Sequence, residues 1–341
     1  MTVSVIIVTL NRPDCVRRCL NCLLEQQPAA DQLIVVDASA DDLTEKVTAE
    51  FPGVIYLRNV KGYGRMTASR NIGLKQASGE LIAFVDDDAF ARPGWLKNLL
   101  ASYADPKVGA VGGRACNGVA GEEAVGVNEI GQLRRNGTLT GNFGADPKRI
   151  IEVDHVMGCN MSYRRAVIAQ LGGFREDYPG ISGVREDSDM CVRVKKLGLG
   201  VLFNPAAIVD HIGAPQAVGK RFDARYEFYI QRNHMTLLVR NFGLTSSKLW
   251  RYLGFNAINA IFEFVRRCGG AVVRLAAVIA GTLVGAVAGM RLLASTGQNP
   301  ARVDPDGEAI RAALGGRADR AGNAGPMAMA PGKMNEGKVA V

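Results

Sequence analysis

Three consecutive carboxylates, Asp86-Asp87-Asp88, close the apolar run 81–85. Packed together without a cation, three carboxylates repel one another and resist ionisation. A divalent ion relieves that conflict, and hard oxygen ligands suit Mg²⁺ or Mn²⁺, which commonly hold substrate phosphates as well. The plainer reading is a solvated acidic turn that caps the helix expected after Pro93. A second acidic group, Glu186-Asp187-Ser188-Asp189, opens a stretch of helical apolar spacing, where the macrodipole favours negative charge. Asp210-His211 ends a short strand. Between Gly62 and Gly73 a glycine-containing turn leads into a helix whose first turns carry Arg65 and Arg70, a setting that suits an anionic ligand. No G-x-G-x-x-G follows the first strand and no G-x-x-x-x-G-K-[ST] occurs, which argues against a dinucleotide-binding Rossmann domain and a P-loop.

These groups need elements that bring them together. Over the first 115 residues apolar runs alternate with amphipathic segments, the pattern of βαβ units on a parallel sheet. Strands are expected at 3–9, 32–37, 54–58, 81–85 and 108–112, and helices at 13–26, 41–51, 65–77 and 93–104. In such sheets ligands bind at the carboxyl ends of the strands, where Thr9-Leu10-Asn11-Arg12, Asp37 and the three aspartates fall. Further on, strands are expected at 200–203 and 206–210 and an amphipathic helix at 223–242. Cys15, Cys19 and Cys22 share a helix face, read here as a buried face because no fourth ligand lies nearby.

The 341 residues are 48% hydrophobic and 22% charged, which excludes a disordered chain, a collagen-like fibre or a polytopic membrane protein. Seven cysteines, an odd number in a chain able to build a core, point to reduced thiols. The first strand has no basic stretch ahead of it, so no secretory leader is expected. Of the net charge of +8, residues 248–341 contribute +6. Aromatics are only 6% and the arginines of the tail are dispersed, so no nucleic-acid partner is expected.

From residue 3 to about 240 the sequence resembles the inverting family 2 glycosyltransferases with a GT-A fold. The resemblance rests on an ordered series: Thr9-Leu10-Asn11-Arg12, Val35-Val36-Asp37, Ala68-Ser69-Arg70-Asn71-Ile72-Gly73, Asp86-Asp87-Asp88, Gly172-Gly173-Phe174, Glu186-Asp187-Ser188-Asp189 with Arg193, and His211. It implies a Rossmann-like, mostly parallel sheet flanked by helices. It further implies that Thr9 and Asp37 hold the nucleotide base, that Asn11 and Arg12 line the same pocket, and that Arg70 meets base or phosphate. Asp86 and Asp87 would approach ribose and sugar, while Asp88 and His211 would bind Mn²⁺ or Mg²⁺. Asp187 matches the general base, with Glu186 and Asp189 positioning it or touching acceptor hydroxyls. The stretch 114–150 corresponds to an acceptor-side loop, and Trp95 and the segment from His155 to Asn160 are expected to face the acceptor too.

The implied activity is transfer of one sugar from a UDP-, dTDP- or GDP-sugar to a glycan or lipid-linked acceptor in cell-envelope polysaccharide synthesis, at the cytoplasmic face of the membrane. Processive synthases carry a Q-x-x-R-W element, and Gln231-Arg232-Asn233-His234 is not one. A catalytically inactive nucleotide-sugar-binding module is the alternative. A sugar-nucleotide pyrophosphorylase fits less well, since it would want a glycine-rich basic loop after the first strand.

Three regions follow from this reading: a catalytic domain at 1–245 (donor half 1–115, acceptor and base half 116–245), a helical extension at 246–296, and a disordered tail at 297–341. In the extension, Phe255, Ile258, Ile261, Phe262 and Val265 recur at helical intervals ahead of Arg266-Arg267, which suits either an anionic membrane surface or packing on the catalytic domain. The uncharged run 275–290 is only about 24 Å long as a helix, and 271–293 makes a marginal membrane segment. Ala277, Gly281, Gly285 and Gly289 form a small-residue stripe that permits close helix approach, including between two copies of the chain.

Overall fold

The computed structural model describes residues 1–62, 65–180, 185–214, 223–266, 271–300 and 305–315. Tyr63, Gly64, Val184, Arg267 and the tail beyond 315 lie outside them. The strands are β1 (Val3–Thr9), β2 (Gln32–Asp37), β3 (Ile55–Arg58), β4 (Leu81–Asp86), β5 (Ala89–Ala91), β6 (Val108–Cys116), β7 (Ile151–Glu152), β8 (Asn160–Arg164) and β9 (Gly200–His211). The helices are α1 (Pro13–Leu24), α2 (Leu43–Ala49), α3 (Met66–Gln76), α4 (Trp95–Ala101), α5 (Arg165–Leu171), α6 (Glu186–Lys196), α7 (Ala224–Phe242), α8 (Ser247–Arg266), α9 (Ala271–Thr296) and α10 (Pro305–Gly315).

Among the described residues the strands form one sheet in the order β3-β2-β1-β4-β8-β6-β9-β5, with β7 paired to β9. The left half, β3-β2-β1-β4, is parallel as expected. The right half is mixed, because β8 runs antiparallel to both β4 and β6. Both faces are covered by helices, so the central strands are apolar throughout rather than alternating. Val5 and Ile7 of β1 join one core with Val16, Leu20, Trp95 and Leu96. Ile6 and Val8 point the other way, into a second core with Leu74, Phe84, Ile168 and Met190.

Four expectations change. The two strands expected at 200–203 and 206–210 are one continuous strand, β9, whose pairing with β6 shifts register between Gly113 and Arg114. Gly113 sits at that shift, where any side chain would overlap the Ala207 carbonyl. The expected boundary at 245 falls inside a third core, in which Leu237, Leu238 and Val239 of α7 meet Leu249 and Tyr252 of α8, with Ala286 and Leu293 of α9 packed against them. Gly281, Gly285 and Gly289 lie against Phe228, Arg232, Met235 and Val239 of α7, so this stripe is occupied within the chain rather than left for a second copy. The tail is not wholly without structure. α10 packs against α5 and α3, burying Ile310 and Leu314, and the Arg165 guanidinium donates to the Leu314 carbonyl.

Candidate active site

Register explains how distant residues meet. Thr9 stands beside Asp37 in the parallel β1–β2 pair, and Val8 beside Asp86 in β1–β4. β5 follows the aspartates directly and pairs antiparallel with β9, setting Ala89 opposite His211 and so bringing the imidazole to Asp88. His211 Nε2 lies 3.3 Å from Asp88 Oδ1. Asp86, Asp88 and His211 each offer a ligand atom, all within 4.8 Å of one another. The buried Asp86 Oδ1 accepts no hydrogen bond. Two carboxylates and an imidazole this close together fit a divalent cation.

Asp87, in the turn after β4, is 3% exposed and accepts from Thr9 Oγ1 at 2.7 Å and from Arg12 Nη1 at 2.9 Å. Burial raises its pKa to about 7, against the pull of Arg12. Arg12 also pairs with Asp88 at 3.1 Å, so this guanidinium clamps the acidic turn rather than simply lining a base pocket. Asn11 is exposed at the opening with φ +55°, a left-handed conformation that asparagine tolerates well. Asp37 is fully buried. One of its oxygens accepts from the Ser39 backbone N–H and hydroxyl, the other from Tyr56 at 3.0 Å. Tyr56 was not legible as a partner, because nothing in a strand sequence reports which neighbour it faces.

Arg70 departs furthest from expectation. It is 1% exposed and pairs with Glu186 at 2.5 Å and with Asp86 at 3.5 Å. A buried guanidinium demands such partners. It ties the end of β4 to the start of α6. Burial and the adjacent Asp187 push Glu186 up to about 8, with Arg70 opposing. Glu186 Oε1 is held by Arg70, while its buried Oε2 accepts no hydrogen bond. Asp189 is likewise interior, accepting from Arg175, Tyr178 and Asn241 at 2.7–3.0 Å.

Trp95 and Asn160 are both fully buried and bonded to each other, Nε1 to Oδ1 at 2.9 Å, while the Asn160 amide donates to the Arg114 and Ala207 carbonyls. An indole that large lowers the free energy more by filling the core than by waiting at a surface. Asn71 exchanges two hydrogen bonds with the backbone of Phe174, which makes the Gly172-Gly173-Phe174 turn a clasp on α3.

Asp187 is the carboxylate of the second acidic group that remains half-buried. It accepts from the Gly158 N–H at 3.1 Å and from the Ser188 N–H at 2.6 Å. Beside Asp86, Asp88 and His211, a cavity of about 500 Å³ is lined by His211 itself and by Met157, Asn117, Glu122, Asn142 and Phe143. Most of that wall comes from the stretch 114–150.

A part-parallel, helix-flanked sheet that ends one strand in an Asp-x-Asp pair beside a histidine defines the GT-A class of fold. A mannosyltransferase from Pyrobaculum calidifontis, solved with GDP-Man and Mn²⁺, has this fold; it matches at TM-score 0.53 and 21% identity, over 93% of this chain and 86% of that one. Residues 4–172 match the family described as glycosyl transferase family 2, and this half of the chain belongs to that family. A pre-mycofactocin glycosyltransferase of Mycobacterium tuberculosis is 33% identical over 162 residues, 48% of this chain but 33% of the relative, so the match spans about a third of that protein. A glucosyl-dolichyl phosphate glucuronosyltransferase of Haloferax volcanii is 27% identical over 240 residues, 67% of this chain and 72% of the relative.

Proposed function

We propose that the protein is an inverting, non-processive glycosyltransferase that moves one sugar from a nucleoside diphosphate sugar to a hydroxyl of a glycan or lipid-linked acceptor. The observation that carries this reading is the junction of Asp86, Asp88 and His211 with the acidic start of α6 through Arg70. Asp86, Asp88 and His211 would hold Mn²⁺ or Mg²⁺, which when bound offsets negative charge on the departing diphosphate. Asp187 takes the acceptor hydroxyl proton as that oxygen bonds to the anomeric carbon and the carbon–oxygen bond to the diphosphate breaks. No covalent sugar–enzyme intermediate is needed. The cavity beside His211 is the acceptor entrance in this reading. Thr9, Asn11 and Asp37, at the ends of β1 and β2, flank the place for the base.

Action at a membrane surface is part of the same proposal. Two features support it: the exposed apolar residues of α9, and the dolichyl phosphate acceptor in the name of one relative. The route would be envelope polysaccharide synthesis, on the cytoplasmic side.

A panel of UDP-, GDP- and dTDP-sugars with Mn²⁺, scored by released nucleotide, tests the activity. Chelation should abolish release and added Mn²⁺ restore it. Asp187→Asn should lower transfer by about 10²- to 10⁴-fold while donor binding, followed by calorimetry, is retained. Retained transfer would remove Asp187 from the role. Binding of a donor with no turnover by the unaltered protein would make it an inactive nucleotide-sugar-binding module instead.

A further inference from the structure

His155 is buried behind α6 in a site the transfer chemistry above does not use. Its Nε2 lies 2.8 Å from the Thr140 carbonyl, and its Nδ1 lies 3.1 Å from Ser188 Oγ. A carbonyl only accepts, so Nε2 carries the hydrogen and Nδ1 of the neutral ring is a bare acceptor. Burial is the largest influence on this imidazole and pushes its pKa down; Asp187 pulls it up and Arg185 down.

Ser188 has one hydroxyl hydrogen and two acceptors at 3.1 Å, His155 Nδ1 and Asp187 Oδ1. The two claims are unequal. Asp187 already accepts two backbone N–H groups and is half-buried, so water can serve it. Nδ1 is interior, and among the described residues only Ser188 is within hydrogen-bond reach of it. A buried acceptor without a donor is the costlier arrangement.

We propose that His155 is a positioning residue that holds the Ser188 hydroxyl hydrogen away from Asp187, so that the carboxylate keeps the proton affinity a general base needs. A third donor on Asp187 would favour its charged form and weaken it as a base. The Thr140 carbonyl, in the loop that walls the cavity, fixes the ring and links the base to the acceptor side. This inference rests on the reading of Asp187 as the base.

The charged and titratable groups around the pair are Glu186 and Arg185 at the start of α6, Cys191 further along it, Arg70 from α3, and Cys159 and Tyr163 at β8. Asp154 and, from α7, His234 stand around the imidazole. None of them is altered in the test.

The test is the acid limb of the kcat/KM–pH profile for the full-length protein, its Ser188→Ala, His155→Phe and doubly substituted forms, with Asp187→Asn alongside. Ser188→Ala should leave the limb where it is, because the hydroxyl does not serve Asp187. His155→Phe should lower the limb by about one pH unit, as the freed hydroxyl turns to the carboxylate, and the double variant should restore it. A limb raised by Ser188→Ala would overturn the inference, and that measurement stands even where His155→Phe does not fold. A shift that persists in the double variant would overturn it too. Should Asp187→Asn keep its transfer activity, the base assignment fails; should it lose transfer while Ser188→Ala raises the limb, only the positioning role fails.

Discussion

Asp189 accepts from Tyr178, Arg175 and Asn241 and lies within 3.7 Å of Arg193, all in the interior. Burial alone would raise its pKa, yet Arg175, Arg193 and Arg240 override it and hold the carboxyl at about 2. Removing one partner from such a cluster leaves buried charge uncompensated, at a cost of about 3–5 kcal/mol. Asp189→Asn should therefore lower Tm at neutral pH. The sign of its pH dependence is fixed, because a depressed carboxylate stabilises above its unfolded value and ceases to do so as pH falls through the folded one. The gap in Tm between the two proteins should be full above about pH 4 and close as pH approaches 2. A gap independent of pH would mean that the carboxylate's charge is not what stabilises the cluster. At this scale Asp187 and Asp189 look interchangeable in the sequence. They part because one reaches the half-open side of the helix start and the other the arginines beneath it.

Between elements, the helical extension is held by shape. α9 lies along α7 with Gly281, Gly285 and Gly289 facing successive turns, running in the same direction from Phe228 to Val239. A side chain at Gly285 would overlap the Arg232 backbone, which cannot yield as a flexible side-chain end does. Gly285→Leu should destabilise the protein by about 1–3 kcal/mol, read as a lower denaturant midpoint. An unchanged midpoint would mean α9 is not docked on α7 in solution. A small-residue stripe by itself names no partner. The sequence carried the close approach, and only the fold chose α7.

Over the whole molecule, the docking of α9 on α7 bears on the proposed membrane contact. Among the described residues it is the one helix long and apolar enough to cross a bilayer, with mean hydropathy 2.0 over its most apolar stretch within Val272–Thr296. Its inner side is taken up by α7, so the proposed membrane contact is better served by an in-plane position than by a span. Ile279, Leu283, Val284 and Val287 remain exposed, alongside Arg274 and Arg291. That pairing suits an anionic lipid surface. Leu283→Glu with Val287→Glu should reduce sedimentation with anionic vesicles while leaving Tm within about 1 °C, since neither site is buried. Undiminished vesicle binding would place the contact elsewhere. Deleting α8 and α9 is a poorer test, because it would open the third core.

The sequence alone determined the parallel half of the sheet, the family resemblance and the acidic groups that matter, since apolar periodicity and motif order are local and survive in one dimension. It also located the basic, apolar extension. The tertiary structure decided which carboxylates share a site. The turn after β4 gives Asp87 to Thr9 and Arg12 and leaves Asp86 and Asp88 with His211. Arg70 and Glu186, Trp95 and Asn160, and His155 and Ser188 all read as site residues or as nothing in the sequence. Their burial assigns them, because an ion pair or hydrogen bond in the interior depends on which strands and helices are neighbours, and that information is not carried by the spacing of residues along the chain.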